Sequence, residues 1–272
     1  MPIEISFVEI ETELSLPDTE YDEMVTKYDL FNDVIRLNNY DDIKYMSYNE
    51  LGINVLPTLP KNLITLYCDE NALTCLPTLP NNLKYLSCND NKINILPSLP
   101  NSLIELQCED NKLTTLPNLP NGLTKLLCGS NKILKLPGLP INLSSLYCNH
   151  NKLSSLPELP NSLTFLYCIC NNISSLPELP NNLDTLICSN NNIKDLPKLP
   201  GKIETIRCDS NQLKKIPNFP IPNKLTYLDC SRNNLVELPE GISDIEKVIY
   251  NRNPIYKEIH KYSYLELYDM KK

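Results

Sequence analysis

The chain has 272 residues, with 23 Pro against 6 Gly, no Trp and a formal net charge of −8. So much Pro argues against a helical bundle, because Pro breaks helix interiors. A content of 42% apolar and 21% charged residues argues against general disorder. The acidic balance is wrong for phosphate backbones, and no run approaches the roughly 18 apolar residues of a membrane span, so neither nucleic acid nor membrane is an expected partner.

Residues 1–42 carry no repeat. Ile3, Ile5 and Phe7 alternate as in a strand, and Tyr21, Met24, Val25 and Tyr28 have helical spacing behind Asp18 and Thr19 as N-cap residues. The segment reads as an N-terminal cap. Met1 to Glu13 is acidic and lacks a basic n-region, so no secretory signal is expected.

A period then takes over. Cys68, Cys88, Cys108, Cys128, Cys148, Cys168, Cys188 and Cys208 recur every 20 residues, and Cys230 follows after a two-residue insertion near Ile221 and Pro222. One unit holds Leu63, Leu66, Cys68, Asn71, Leu73, Leu76-Pro77 and Leu79-Pro80. About eleven coils begin at Ile43, Leu63, Leu83, Leu103, Leu123, Leu143, Leu163, Leu183, Ile203, Leu225 and Ile245, the first and last being irregular.

Alternation puts Leu66 and Cys68 on one face and Thr65, Tyr67 and Asp69 on the other, which reads as a short strand. Stacked coils then build a parallel sheet with strands about 4.8 Å apart. Leu63, Leu73, Leu76 and Leu79 close each core turn. The Leu-Pro-x-Leu-Pro stretch disfavours helix and favours an extended or polyproline return path, so the sheet is expected on a gently concave face. Asn71 and its copies Asn91, Asn111, Asn131, Asn151, Asn171, Asn191, Asn211 and Asn233 sit where the chain leaves the strand, able to pair otherwise unmatched backbone groups. The cysteine ladder reads as small buried hydrophobes. In-register thiols that point alike cannot all form disulfides, and a tetrahedral metal site needs ligands from several directions. After residue 255, Tyr256, Ile259, Tyr262, Leu265 and Tyr268 read as a C-terminal cap.

The tandem LPxLPxxLxxLxxxxN unit resembles the short bacterial-type leucine-rich repeat of the YopM and IpaH effector proteins. Similar repeats are encoded by amoeba-infecting giant DNA viruses, and a composition rich in Asn, Lys, Ile and Tyr suits such an AT-rich genome. The resemblance implies a leucine-rich repeat solenoid, mainly β, over residues 43–255, flanked by caps at 1–42 and 256–272. It says little about function, which in such folds lies in the variable exposed positions.

Those positions change along the chain. The N-terminal coils offer Asp69, Glu70, Asp90, Glu105, Glu109 and Asp110. The middle coils offer Leu127, Tyr147, Phe165, Tyr167, Ile169 and Ile187, and the C-terminal coils offer Arg207, Arg232, Lys247 and Arg252, interrupted by Asp209 and Asp229. An apolar, aromatic centre of this size is expected to be a bare patch of several hundred Å², the mark of a protein interface with charged flanks setting register. The acidic coils have the oxygen donors of a Ca²⁺ site, but an open sheet does not supply 6–8 converging ligands. Ser130, His150, Cys170 and Asn190 form one column with the residue types of a thiolate–imidazolium pair, yet nothing predicts an oxyanion hole or cleft.

The reading is therefore a non-enzymatic module that binds another protein, of host origin, on the concave face, as a monomer and with no cofactor or metal. Abundant thiols without an export signal fit a reducing interior, so host cytoplasm is the expected setting, with virion association as an alternative. Two other functions are kept in view. One is the substrate-recognition part of a ubiquitin-ligase-type effector system, although only about 17 residues follow the last coil, too few for a catalytic domain. The other is a structural component without a single ligand.

Overall fold

The computed structural model describes residues 3–6 and 40–256. The chain divides into two compact units, residues 1–123 and 124–272, each taken by itself. In the first unit, strands β1 (Ile3–Ser6), β2 (Ile43–Ser47), β3 (Thr65–Tyr67), β4 (Tyr85–Ser87) and β5 (Glu105–Gln107) form a parallel sheet in chain order. In the second, β6 (Lys125–Leu127), β7 (Ser145–Tyr147), β8 (Phe165–Tyr167), β9 (Thr185–Ile187), β10 (Thr205–Arg207), β11 (Tyr227–Asp229) and β12 (Lys247–Ile249) do the same. This is the leucine-rich repeat β-solenoid with very little helix. Ile3 and Ile5 lie on a strand as expected. Phe7, the helix expected at Tyr21–Tyr28 and the cap after Tyr256 fall outside the described residues.

Each regular coil buries the same apolar set, whereas Ile53 of the first coil and Val248, Tyr250 and Ile255 of the last are half-buried. Leu63, Leu66, Cys68 and Leu73 are fully buried, as are Leu163, Leu166, Cys168 and Ile173 a hundred residues on. The second leucine of the Pro-rich stretch is less regular: Leu79, Leu179 and Leu199 are buried, whereas Leu59 and Leu99 are only half-buried. That stretch is extended and free of helix, as its prolines require. A tight turn then re-enters the strand, closed by Leu63 N donating to Pro60 O at 3.2 Å and repeated as Leu163 N to Pro160 O at 3.0 Å.

Backbone pairing does not stop at the strand ends. Cys68 N donates to Ser87 O, Glu70 N to Asn89 O and Ala72 N to Ile53 O, so neighbouring coils stay paired through the turn. The asparagines complete this pairing. Asn71 Oδ1 accepts from Leu51 N and Ile53 N, both at 3.1 Å, and Nδ2 donates to the carbonyls of Tyr48, Cys68 and Asp69. No disulfide links the eleven cysteines. The thiol of Cys68 donates to Ser87 O at 3.3 Å and that of Cys128 to Tyr147 O at 3.4 Å, so the ladder also makes a weak polar contact with the next coil's strand.

One backbone feature carries no mark in the sequence. The residue before each ladder asparagine is left-handed, as is Glu50 before Leu51, which takes the asparagine's place in the first coil: Glu70, Asp90 and Asp110 follow in the first unit, and Ser130, His150, Cys170, Asn190, Ser210, Arg232 and Arg252 in the second, all with φ between 49° and 58°. None is Gly, although an L residue pays roughly 1–2 kcal/mol there unless its side chain is Asn or Asp. At the two-residue insertion the Ile221–Pro222 peptide is cis and Ile221 stands in solvent.

Candidate functional site

In the second unit, strand register places Leu127, Tyr147, Tyr167, Ile187 and Arg207 in one outward column. Lys125, Ser145, Phe165, Thr185 and Thr205 form the column beside it. Three rings meet across these columns. Tyr147 and Phe165 stack at 4.8 Å between centroids with 23° between planes, and Tyr167 lies 5.8 Å from Tyr147 and 6.4 Å from Phe165.

The rings shield one another. Leu127, Tyr147, Phe165, Tyr167, Ile169 and Ile187 are all half-buried rather than bare, which corrects the expected open patch. Of the freely exposed large apolar side chains among the described residues, Tyr85 lies on strand β4 of the first unit and Tyr256 at the end of the described chain, and the rest lie off the strands, at Val55, Ile95, Leu134, Ile141, Ile221 and Val236. The off-strand coil positions carry polar residues in most repeats, so no periodic signal picks them out.

A second correction concerns the turn. The strands of the regular coils are three residues long, so Asp69, Glu70, Asp90, Glu109, Asp110, Ile169 and Arg232 belong to the turn after the strand rather than to the strand itself. In the first unit Asp69 is a turn-stabilising group: its carboxylate accepts from Ser87 Oγ and Asn89 N, both at 2.6 Å. It is one rung of a side-chain ladder in which Asn49 Oδ1 accepts from Asp69 N and Asn89 Oδ1 from Glu109 N, each at 2.8 Å. Glu105, on β5, accepts from Gln107 Nε2 at 2.7 Å. Glu70, Asp90 and Asp110 remain exposed. Partial burial, and then the charges of Asp110 and Asp69, push the Asp90 carboxyl above its ordinary value. Among the described residues, no group of three or more His, Cys, Asp or Glu is placed to hold a metal ion.

The equivalent turn position of the second unit is interrupted after strand β7. Gly129 and Ile169, the equivalent residues on either side of Asn149, carry no polar side chain, and Asn149 Oδ1 is buried without a hydrogen-bond partner.

The column of Ser130, His150, Cys170 and Asn190 is the left-handed turn itself. Burial first, and then the charge of Asp209, push the Cys170 thiol upward. A nucleophilic cysteine needs the opposite shift, so this column does not present a poised thiolate. Arg207 is exposed on β10, and Arg232 is exposed on the turn after β11.

No protein-family model matches the chain, and no curated protein matches it. Among solved structures, YopM from Yersinia enterocolitica superposes with a TM-score of 0.65 at 33% identity, covering 78% of this chain and 52% of YopM. A leucine-rich repeat protein of Leptospira interrogans gives 0.52 at 23% identity, covering 81% and 82%. A chain of the Toll–Spatzle complex from Drosophila gives 0.58 at 19% identity, covering 83% and 39%. The chain thus spans about half the length of the YopM chain it matches. These similarities support a leucine-rich repeat protein with short repeats.

Proposed function

We propose that the chain is a non-enzymatic protein-interaction module and that the outward sheet of the second unit binds a partner protein. The observation that carries this reading is the ring cluster of Tyr147, Phe165 and Tyr167, flanked by Leu127, Ile169 and Ile187. The buried core of these coils is already complete beneath the sheet, so the rings are not needed to fill it. Half-buried, mutually stacked aromatics are preorganised anchors, which lose little side-chain freedom when a partner covers them. The likeness to YopM supports an effector-like role with a host protein as partner, and the Toll–Spatzle likeness shows that chains of this fold occur in protein complexes.

The exposed carboxylates Glu70, Asp90 and Asp110 of the first unit form a separate surface, which we take as one that orients a basic partner rather than one that holds a cation.

Affinity capture from host lysate, read by mass spectrometry, tests the reading with wild type and a Tyr147→Ala, Tyr167→Ala variant. A specific protein kept by the first and lost by the second supports it, with about 1 kcal/mol or more lost per ring. Equal capture by both removes the aromatic face from the proposal.

A further inference from the structure

The carboxylates that punctuate the C-terminal coils are shielded and hydrogen-bonded, Asp229 beside its register neighbour Arg207, while the cations are exposed. Asp229 is only 8% exposed, and its Oδ1 accepts from Ser231 N at 3.1 Å and Ser231 Oγ at 2.7 Å. Asp209 is half-buried and accepts from the hydroxyls of Ser189 and Ser210. Arg207, Arg232, Lys247 and Arg252 are exposed. No ion pair joins Arg207, Arg232 or Arg252 to a carboxylate among the described residues, and Lys247 lies over the Tyr227 ring at 5.3 Å. The exposed acids of these coils lie off that surface: Glu204 and Glu246 precede strands β10 and β12, and Glu237, Glu240 and Asp244 lie on the return path between β11 and β12. In a chain of net charge −8, the exposed charged side chains on these strands and the turns after them are thus cations, with Asp209 and Asp229 shielded between them.

That surface is continuous with the aromatic cluster. Arg207 is the register neighbour of Ile187, which neighbours Tyr167. Tyr167 and Tyr147 thus stand two and three strands from Arg207, about 10 and 14 Å at the usual strand spacing. An extended peptide crossing the strands covers that span in about three or four residues.

Resting on the interface reading above, we infer that the partner presents an acidic peptide segment: an apolar or aromatic side chain seated on Tyr147 and Tyr167, followed about three or four residues later by a carboxylate that pairs with Arg207. Arg232 and Arg252, on adjacent turns, receive further acidic residues beyond it. A guanidinium exposed to solvent and not ion-paired among the described residues can form a bidentate pair without breaking one of theirs.

The test is fluorescence anisotropy of the full chain with labelled synthetic peptides that carry one Phe and a Glu pair at varied spacing. Matched peptides have Gln for Glu, and a labelled oligothymidylate serves as a non-peptide polyanion. The expected result is binding at least about tenfold tighter for Glu than for Gln at the stated spacing, weakened by added salt. Arg207→Ala removes the difference, and Arg207→Glu transfers the preference to a peptide with Lys in place of Glu. Equal binding of the Glu and Gln peptides, lost on Tyr147→Ala, overturns the acidic partner and leaves the aromatic interface standing. Glu-dependent binding that survives the double Tyr variant overturns both. Oligothymidylate bound as tightly as the best peptide, or silence of every peptide up to about 1 mM, also overturns the inference.

Discussion

Asn171→Ala removes one rung of the asparagine ladder and nothing else. In the native chain Asn171 Oδ1 accepts from Leu153 N at 3.0 Å, and Nδ2 donates to the carbonyls of Cys148 at 3.0 Å, Cys168 at 3.3 Å and Ile169 at 3.3 Å. Two of those carbonyls keep a second donor, since Asn151 Nδ2 also reaches Cys148 O and Asn191 Nδ2 reaches Cys168 O. The Leu153 amide lies in a fully buried residue and has no such reserve. Leaving it unpaired costs about 1–3 kcal/mol, and the lost side-chain donations add about 1 kcal/mol, giving roughly 3 kcal/mol in all. Asn171→Asp separates the two halves of the rung. It keeps the acceptor for Leu153 N but sets a carboxylate oxygen against three carbonyl oxygens. Burial and that repulsion raise its folded pKa, so the variant's stability is full below the unfolded value of about 3.9 and falls as pH rises through the folded value. Urea unfolding by circular dichroism at about pH 5 and pH 7, together with hydrogen exchange at the Leu153 amide, reads both effects. The Ala variant is expected to lose Leu153 protection at either pH, and the Asp variant to lose stability between them relative to Ala. A cost below about 1 kcal/mol for Ala, or an Asp variant as stable as wild type at pH 7, refutes the assignment.

The thiol ladder gives an alkaline limit. Burial holds Cys68, Cys88, Cys148, Cys188 and Cys208 well above the ordinary thiol value of 9.0 and pushes Cys168 and Cys230 up to about 12. Their stabilising effect is full below the unfolded pKa and is lost as pH rises through the folded one, at roughly 1 kcal/mol per thiol per pH unit, so the fold should melt near pH 10. A thiol reagent at about pH 8 is expected to find only Cys75 and Cys170; fast labelling of the ladder, or an unchanged dichroism spectrum at pH 11, contradicts this. Cys170→Asn places a residue that tolerates φ > 0 where φ is 54°. It should stabilise by up to about 1 kcal/mol, and a lowered urea midpoint counts against strain at that position.

The coil was legible because its chemistry repeats. Leu63, Leu66, Cys68, Asn71 and Leu73 recur every 20 residues, and one buried turn that demands an amide demands it in every copy. The asparagine role followed from counting orphan backbone groups, and the structure places each donor and acceptor where that count requires. The left-handed residue before it was not legible, because its usual marker is Gly and here it is Glu, Asp, Ser, His, Cys, Asn or Arg. The turn's geometry is imposed by pairing with neighbouring coils rather than by the residue's own preference, and a conformation imposed from outside leaves no composition signal.

The outward face was harder to read for a related reason. Which columns face outward follows from strand alternation, so the meeting of Tyr147, Phe165 and Tyr167 was predictable. How much of each ring is covered depends on ring-to-ring distances, and these turn an expected bare patch into a half-buried cluster. Charge misleads more strongly. Asp69, Asp209 and Asp229 count as surface anions in a sequence, but each is held by serine hydroxyls or backbone amides of the turns. A serine or asparagine in the same turn or the adjacent coil converts a partner-facing carboxylate into a structural acceptor. With those three held in the turns, the exposed acids of the first unit's turns are Glu70, Asp90 and Asp110, while Arg207, Arg232 and Arg252 of the second form no ion pair among the described residues. Recognition by this fold is therefore set by the charges the turns do not consume, and these can be identified only after the hydrogen bonds between coils have been assigned.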